Sequence, residues 1–252
     1  MFQKLRLRTI GLVAVLSTFI AIPASADEAR IAVAANFTSA AKEIGVLFDK
    51  QTSHRALFSF ASTGTLYTQI RNGAPFDVFL AADQARPKKA LDEGLAVSGS
   101  RFTYALGRIV LYSKDPALVA GRETLTLARF EKIALANPVT APYGAAAIQA
   151  LEAMGLRDTL TARFVQGKNI AQTYQFVETG NAEVGFVALS QVAEHKDGSR
   201  WIVPHDLYEP IRQDAVLLTH GASNEAAKAF LAFLHSPDAV AVKNKFGYGS
   251  GD

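Results

Sequence analysis

SFASTGTLYTQIRNGAPFDVFLAAD, residues 59–83, decides how this chain is built. It opens on a short apolar strand and bends through Ser62, Thr63, Gly64 and Thr65. A helix marked by Leu66, Tyr67 and Ile70 follows, broken near Gly73 and Pro75, and a second strand occupies residues 77–81. Strand, polar bend, helix, break and strand form the unit from which parallel sheets with helices on both faces are made. The bend poses a chemical question, because four small residues, three of them hydroxyl-bearing, separate a strand from a helix start.

The same unit recurs on both sides of this stretch. Upstream, residues 30–35 read as a strand and Asn36 to Ser39 as a capping segment. Ala40, Ala41, Ile44, Leu47 and Phe48 then fall at helical spacing. Downstream, strands are expected at 108–113, 132–136, from Phe164, at 184–188, 201–203 and 214–219. Helices are expected at 86–95, 125–130, 145–154, 170–179 and 224–234, several closed by glycine. The fold class is α/β. No fixed-period repeat and no Ser/Pro-rich linker divides the chain, so any two lobes must be joined by ordered segments. The apolar, extended stretches 108–113 and 214–219 are the candidates.

Residues 1–26 read as an export signal. Lys4, Arg6 and Arg8 precede the uncharged, mostly apolar residues 10–22, and Ala24-Ser25-Ala26 offers a small-residue cleavage site. The apolar run is short for a membrane span. Removing the leader takes three basic residues from 26 and leaves 23, against 23 acidic ones. The remaining chain is formally neutral, which argues against nucleic acid or an anionic lipid surface as partner. The absence of cysteine excludes both a disulfide framework and thiol chemistry. The expectation is a periplasmic protein, cleaved after Ala26 and monomeric, that stands on its apolar core.

The turns carry the chemistry. Ala35-Asn36, Ser62-Thr63, Pro142-Tyr143-Gly144 and Asn169-Ile170 each lie at a helix start. The first N–H groups of a helix have no internal partner, and the helix dipole makes that end partly positive. Several such ends converging can hold an anion without a formal cation. The hydroxyls of Thr63 and Tyr143 and the side-chain amide of Asn36 would add donors. None of the four turns contains Asp, Glu, Lys, Arg or His, and Lys168 is the one charge beside them. A donor-only pocket suits a fully deprotonated tetrahedral dianion and penalises a protonated one, whose O–H would go unpaired. The competing reading is that Ser, Thr and Asn in these places are ordinary N-caps, each contributing about 1 kcal/mol.

Other constellations are absent or weak. His54, His195, His205, His220 and His235 are scattered without ligand spacing, and neither G-x-S-x-G nor H-E-x-x-H occurs. Gly247-Tyr248-Gly249 reads as a tail turn, and Trp201 as a core residue.

IAVAANFTSAAKEI, the opening stretch and GFVALSQV together resemble the periplasmic molybdate-binding proteins of molybdate ABC importers. The resemblance covers nearly all of the chain after residue 26. It implies a type II periplasmic binding fold, with residues 27–108 and 218–252 in one lobe and 109–217 in the other. It also implies a cleft for molybdate or tungstate, a membrane permease and ATPase as partners, and neither cofactor nor enzymatic activity. Carried over by position, Asn36, Thr63, Tyr143 and the backbone of Ile170 would hold the oxyanion, with Ala35 and Ser62 beside them. No side chain would touch the metal, which lies inside the anion. Some members place serine where this chain has Asn36, and tyrosine where it has Ala188. A receptor for sulfate or thiosulfate and a periplasmic enzyme on the same scaffold remain the alternatives.

Overall fold

The computed structural model describes residues 27–250, and the expected leader at 1–26 lies outside them. The first half of the described chain alternates as expected. Strand β1 (Glu28–Ala34) leads through a 3-10 turn (Ala35–Phe37) into α1 (Thr38–Gln51), then β2 (Arg55–Ala61), α2 (Thr63–Arg71), β3 (Val78–Leu80) and α3 (Ala85–Asp92). Two strands come next, β4 (Phe102–Gly107) and β5 (Ile109–Ser113), separated only by Arg108. The alternation resumes with α4 (Arg122–Leu127), β6 (Ile133–Ala136), α5 (Pro142–Ala153), α6 (Arg157–Leu160), β7 (Phe164–Gly167), α7 (Ile170–Glu178) and β8 (Val184–Ala188). The chain finishes with α8 (Leu189–Val192), β9 (Ser199–Ile202), β10 (Ile211–Leu217), α9 (Glu225–Phe233) and α10 (Pro237–Lys245).

The strands form two five-stranded sheets, ordered β2-β1-β3-β10-β4 and β7-β6-β8-β5-β9. Within each, the three strands joined through helices are parallel, as right-handed crossover units require. The remaining two strands run antiparallel to their neighbours. Both sheets are therefore mixed, where the alternation alone suggests parallel ones. Residues 211–217, expected in the second lobe, pair instead with β3 and β4 of the first sheet. The reason is long-range: β10 fills the slot between β3 and β4, a pairing that local pattern cannot encode. The chain passes between sheets at Arg108 and again over residues 203–210, and these are the observed crossovers.

Each sheet has its own apolar core. Ile31, Val33, Phe48, Val78, Leu80 and Phe230 lie at 0% exposure around the first sheet, and Ile109, Leu111, Ile133, Val184 and Leu151 around the second. Full burial of such a side chain stabilises by about 1.5–3 kcal/mol, which these short strands need, since their ladders are brief. No helix among the described residues is long and apolar enough to cross a membrane.

In both sheets the order reverses around a central strand: β1 lies between β2 and β3, and β6 between β7 and β8. The turns that leave these strands at their carboxyl ends are where an open α/β sheet binds ligands. The two sheets present these edges to each other.

Candidate functional site

The four turns picked out from the sequence meet in one small cavity. Its wall consists of Ala34, Ala35, Asn36, Ser62, Thr63, Ala82, Ala141, Pro142, Tyr143 and Ile170. The first six come from the first sheet and the last four from the second. Every one of these residues except Pro142 is at least nine-tenths buried. No wall residue bears a formal charge, and Tyr143 is the one titratable group among them. Lys168 is exposed and not part of the wall.

Three helix starts point at this cavity. Thr63, Tyr143 and Ile170 are the first N–H donors of α2, α5 and α7, since Pro142 has none. In each helix other first-turn groups are already satisfied. Ser62 Oγ accepts from the N–H of Thr65, and the N–H of Gly64 donates across the cleft to the Thr140 carbonyl at 2.8 Å. Asn169 Oδ1 accepts from the N–H of Gln172 at 2.9 Å, and Gly144 and Ala145 donate to the Ala141 carbonyl. Helix geometry leaves the N–H groups of Thr63, Tyr143 and Ile170 without an intrahelical acceptor, each carrying the positive end of its dipole. The cap reading and the anion reading thus apply to different residues: Ser62 and Asn169 are the caps, and their neighbours face the cavity.

Thr63 adds a directed hydroxyl. Its Oγ1 accepts the N–H of Ala82 at 3.0 Å. With that lone pair engaged, the hydroxyl hydrogen is free to donate into the cavity.

Asn36 behaves differently from the expectation. Its side-chain amide is engaged by buried partners: Nδ2 donates to Gln213 Oε1 at 2.7 Å and Tyr248 Oη at 3.2 Å, with Tyr143 Oη at 3.4 Å. Both amide hydrogens are taken by this buried cluster, so Asn36 can serve the cavity through its backbone and not through the amide donor. The reason is the depth of the cluster, where Gln213 and Tyr248 supply acceptors that must be satisfied. Burial raises the Tyr143 phenol well above its usual range, with the charges of Tyr248 and Tyr104 adding to the effect. Tyr143 therefore remains a neutral O–H group.

Contacts between the sheets surround the cavity. Ser190 Oγ donates to the Asn36 carbonyl at 2.8 Å, and Arg86 Nη2 donates to the Val139 carbonyl at 2.8 Å while pairing with Asp83. Lys245 of α10 reaches Glu194 at 3.4 Å. A wider cavity of ≈ 310 Å³ lies alongside and shares Ala82 and Pro142. Its walls carry Asp83, Arg86, Glu209 and Arg212, so the outer space is charged where the inner one is neutral.

Sequence reasoning missed Gln213, Tyr104 and Tyr248. Gln213 and Tyr104 sit in strands whose partners are distant in the chain. Tyr248, read as part of a tail turn, is 5% exposed and donates to the Asn36 carbonyl at 2.7 Å. The glycines flanking Tyr248 were the one local signal, since they allow the bend that returns it to the core. Ala188, at the end of β8, is buried and absent from the cavity wall. Tyr143, entering from α5, is the tyrosine in the wall.

Residues 29–249 match the family described as bacterial extracellular solute-binding protein. The chain is 52% identical over 246 residues to the molybdate-binding protein ModA of Rhodobacter capsulatus, a match covering 98% of this chain and 97% of that protein. It is also 52% identical over 236 residues to the molybdate-binding protein ModA of Azotobacter vinelandii, covering 91% and 93%. The solved structure of an Azotobacter vinelandii periplasmic molybdate-binding protein is similar to this fold at a TM-score of 0.85 and 39% identity. That similarity covers 88% of this chain and 98% of that one.

Proposed function

The chain belongs to the bacterial extracellular solute-binding proteins, and from that footing we propose that it is the periplasmic capture component of an ABC importer for molybdate. Tungstate, the same size class of tetrahedral dianion, would be taken by the same groups. The observation that carries this reading is a charge-free cavity ringed by three unpaired helix N-termini and two hydroxyls, in a chain 52% identical to molybdate-binding proteins.

The N–H groups of Thr63, Tyr143 and Ile170, the backbone of Ala35 and Asn36, and the hydroxyls of Thr63 and Tyr143 hold the anion's oxygens. Ser62 supports them as the cap of α2. A dianion in this ring accepts only, and the ring only donates, so each oxygen can be matched. A protonated oxyanion brings a hydrogen with no acceptor, which costs about 1–3 kcal/mol in a desolvated site. Sulfate satisfies the same donors, and rejecting it falls to the size of the cavity. The charged outer cavity is the approach. The sheets form two lobes that part at Arg108 and residues 203–210 and close over the ion. The ring contains no pair of nucleophile and base, which suits a receptor and not an enzyme. The leader at 1–26 directs export, and the mature monomer delivers its ion to a membrane permease driven by an ATPase.

Calorimetric titration with molybdate, repeated in excess sulfate, tests this function. The expected result is saturable binding of one ion per chain that sulfate barely weakens. Equal affinity for sulfate or thiosulfate, or no binding of molybdate, overturns it.

A further inference from the structure

Beneath the cavity, Asn36, Tyr104, Tyr143, Gln213 and Tyr248 form a buried polar cluster, each at 5% exposure or less. Its hydrogen positions follow from which atoms can only accept. The Asn36 carbonyl accepts, so Tyr248 donates to it at 2.7 Å. The Tyr248 oxygen then accepts from Asn36 Nδ2 at 3.2 Å. The second Asn36 amide hydrogen goes to Gln213 Oε1 at 2.7 Å, the shortest of its contacts. With Oε1 so placed, the other face of the Gln213 amide is the donor Nε2, which meets the Tyr143 oxygen at 3.4 Å. Tyr143 thus accepts from the cluster, and its own hydrogen has no acceptor there. The cavity that Tyr143 lines is where that hydrogen can point.

We infer that Gln213 is a positioning residue that fixes the Tyr143 hydroxyl as a donor into the oxyanion cavity. The inference rests on the proposed function and deepens it. Two features of the backbone serve this contact. A bulge in β10 falls between Gln213 and Asp214, the kind of irregularity that re-aims a side chain. Gly107, at the end of β4, leaves the space: a Cβ there would lie 2.2 Å from Tyr143 Oη and 2.8 Å from Gln213 Nε2. The contact also joins the lobes, since Gln213 belongs to the first sheet and Tyr143 to a helix of the second. Closing the lobes and setting the polarity of the hydroxyl are therefore one event. A site whose hydroxyl could turn round would tolerate a protonated anion, and this one does not.

A double-mutant cycle on the full mature chain tests the inference, with affinities for molybdate, tungstate and sulfate read by calorimetry. Tyr143→Phe is expected to weaken binding about 10- to 100-fold, the loss of a hydrogen bond to a charged group. Gln213→Met keeps the volume and removes the amide contacts to Asn36, Tyr104 and Tyr143, and is expected to weaken binding about 5- to 10-fold when Tyr143 is present. In the Tyr143→Phe background the same change should cost less than about twofold, because Gln213 acts through the hydroxyl. Should Gln213→Met not fold, Gln213→Asn, which withdraws the amide by one methylene, serves the same cycle. Equal losses in both backgrounds, or no effect of Tyr143→Phe, overturn the inference while leaving the oxyanion reading intact. A wild-type protein that binds none of the three anions overturns both.

Discussion

Thr63 holds two duties in one side chain. Its oxygen accepts the N–H of Ala82, which leaves its hydrogen free to donate into the cavity that Thr63 lines. Thr63→Ala is therefore expected to weaken molybdate binding about 10- to 100-fold, the equivalent of about 1.5–3 kcal/mol for a hydrogen bond to a charged partner. Thr63→Ser retains the hydroxyl and should stay within about threefold of the wild type. Calorimetry on the two variants separates donation from packing, and an undiminished affinity for Thr63→Ala would remove the Thr63 hydroxyl from the site. At this scale the sequence was informative wherever function resides in a turn. Asn36, Ser62, Thr63, Tyr143 and Ile170 all line the cavity, because a helix start and its cap are written in adjacent residues. The direction of the Asn36 amide was not legible. It depends on Gln213 and Tyr248, which lie 177 and 212 positions away.

Among the elements, α2, α5 and α7 matter through their first turns, and α2 also seals the cleft. The N–H of Gly64 donates to the Thr140 carbonyl, and a Cβ on Gly64 would lie 3.0 Å from Thr140 Cα and 3.1 Å from its carbonyl oxygen. Gly64→Ala should push the lobes apart by a few tenths of an ångström where they meet. The same change favours the helix itself by up to about 1 kcal/mol. The expected signature is split: an unchanged or higher melting temperature without ligand, and molybdate binding weakened several-fold with faster dissociation in stopped-flow. Loss of both together would mean a folding defect instead. The parallel units were readable from alternation and glycine stops. Strand β4, helix α10 and the membership of β10 were not, because β4 and β10 gain their identity by pairing with each other and α10 by packing on α1.

Over the whole molecule, the tyrosines buried beneath the cavity set an alkaline limit. Burial raises the pKa of Tyr104, Tyr143 and Tyr248 above the ordinary 10.0. A group whose pKa is raised by folding contributes its full stability below the unfolded value and loses it as pH climbs toward the folded one. Melting temperature should hold from neutrality to about pH 9 and fall steeply above pH 10, less so in Tyr248→Phe, as differential scanning calorimetry across that range would show. Molybdate affinity should stay level from pH 6 to about 9, since the cavity wall holds no group that titrates there. All of this depends on a dianion being held by neutral donors alone. The most direct test is a crystal structure of the protein grown with molybdate. The predicted result is one ion in the cavity between the lobes, within hydrogen-bond distance of the N–H groups of Thr63, Tyr143 and Ile170 and the hydroxyls of Thr63 and Tyr143. An ion bound elsewhere, or one gripped by a lysine or arginine, would contradict it.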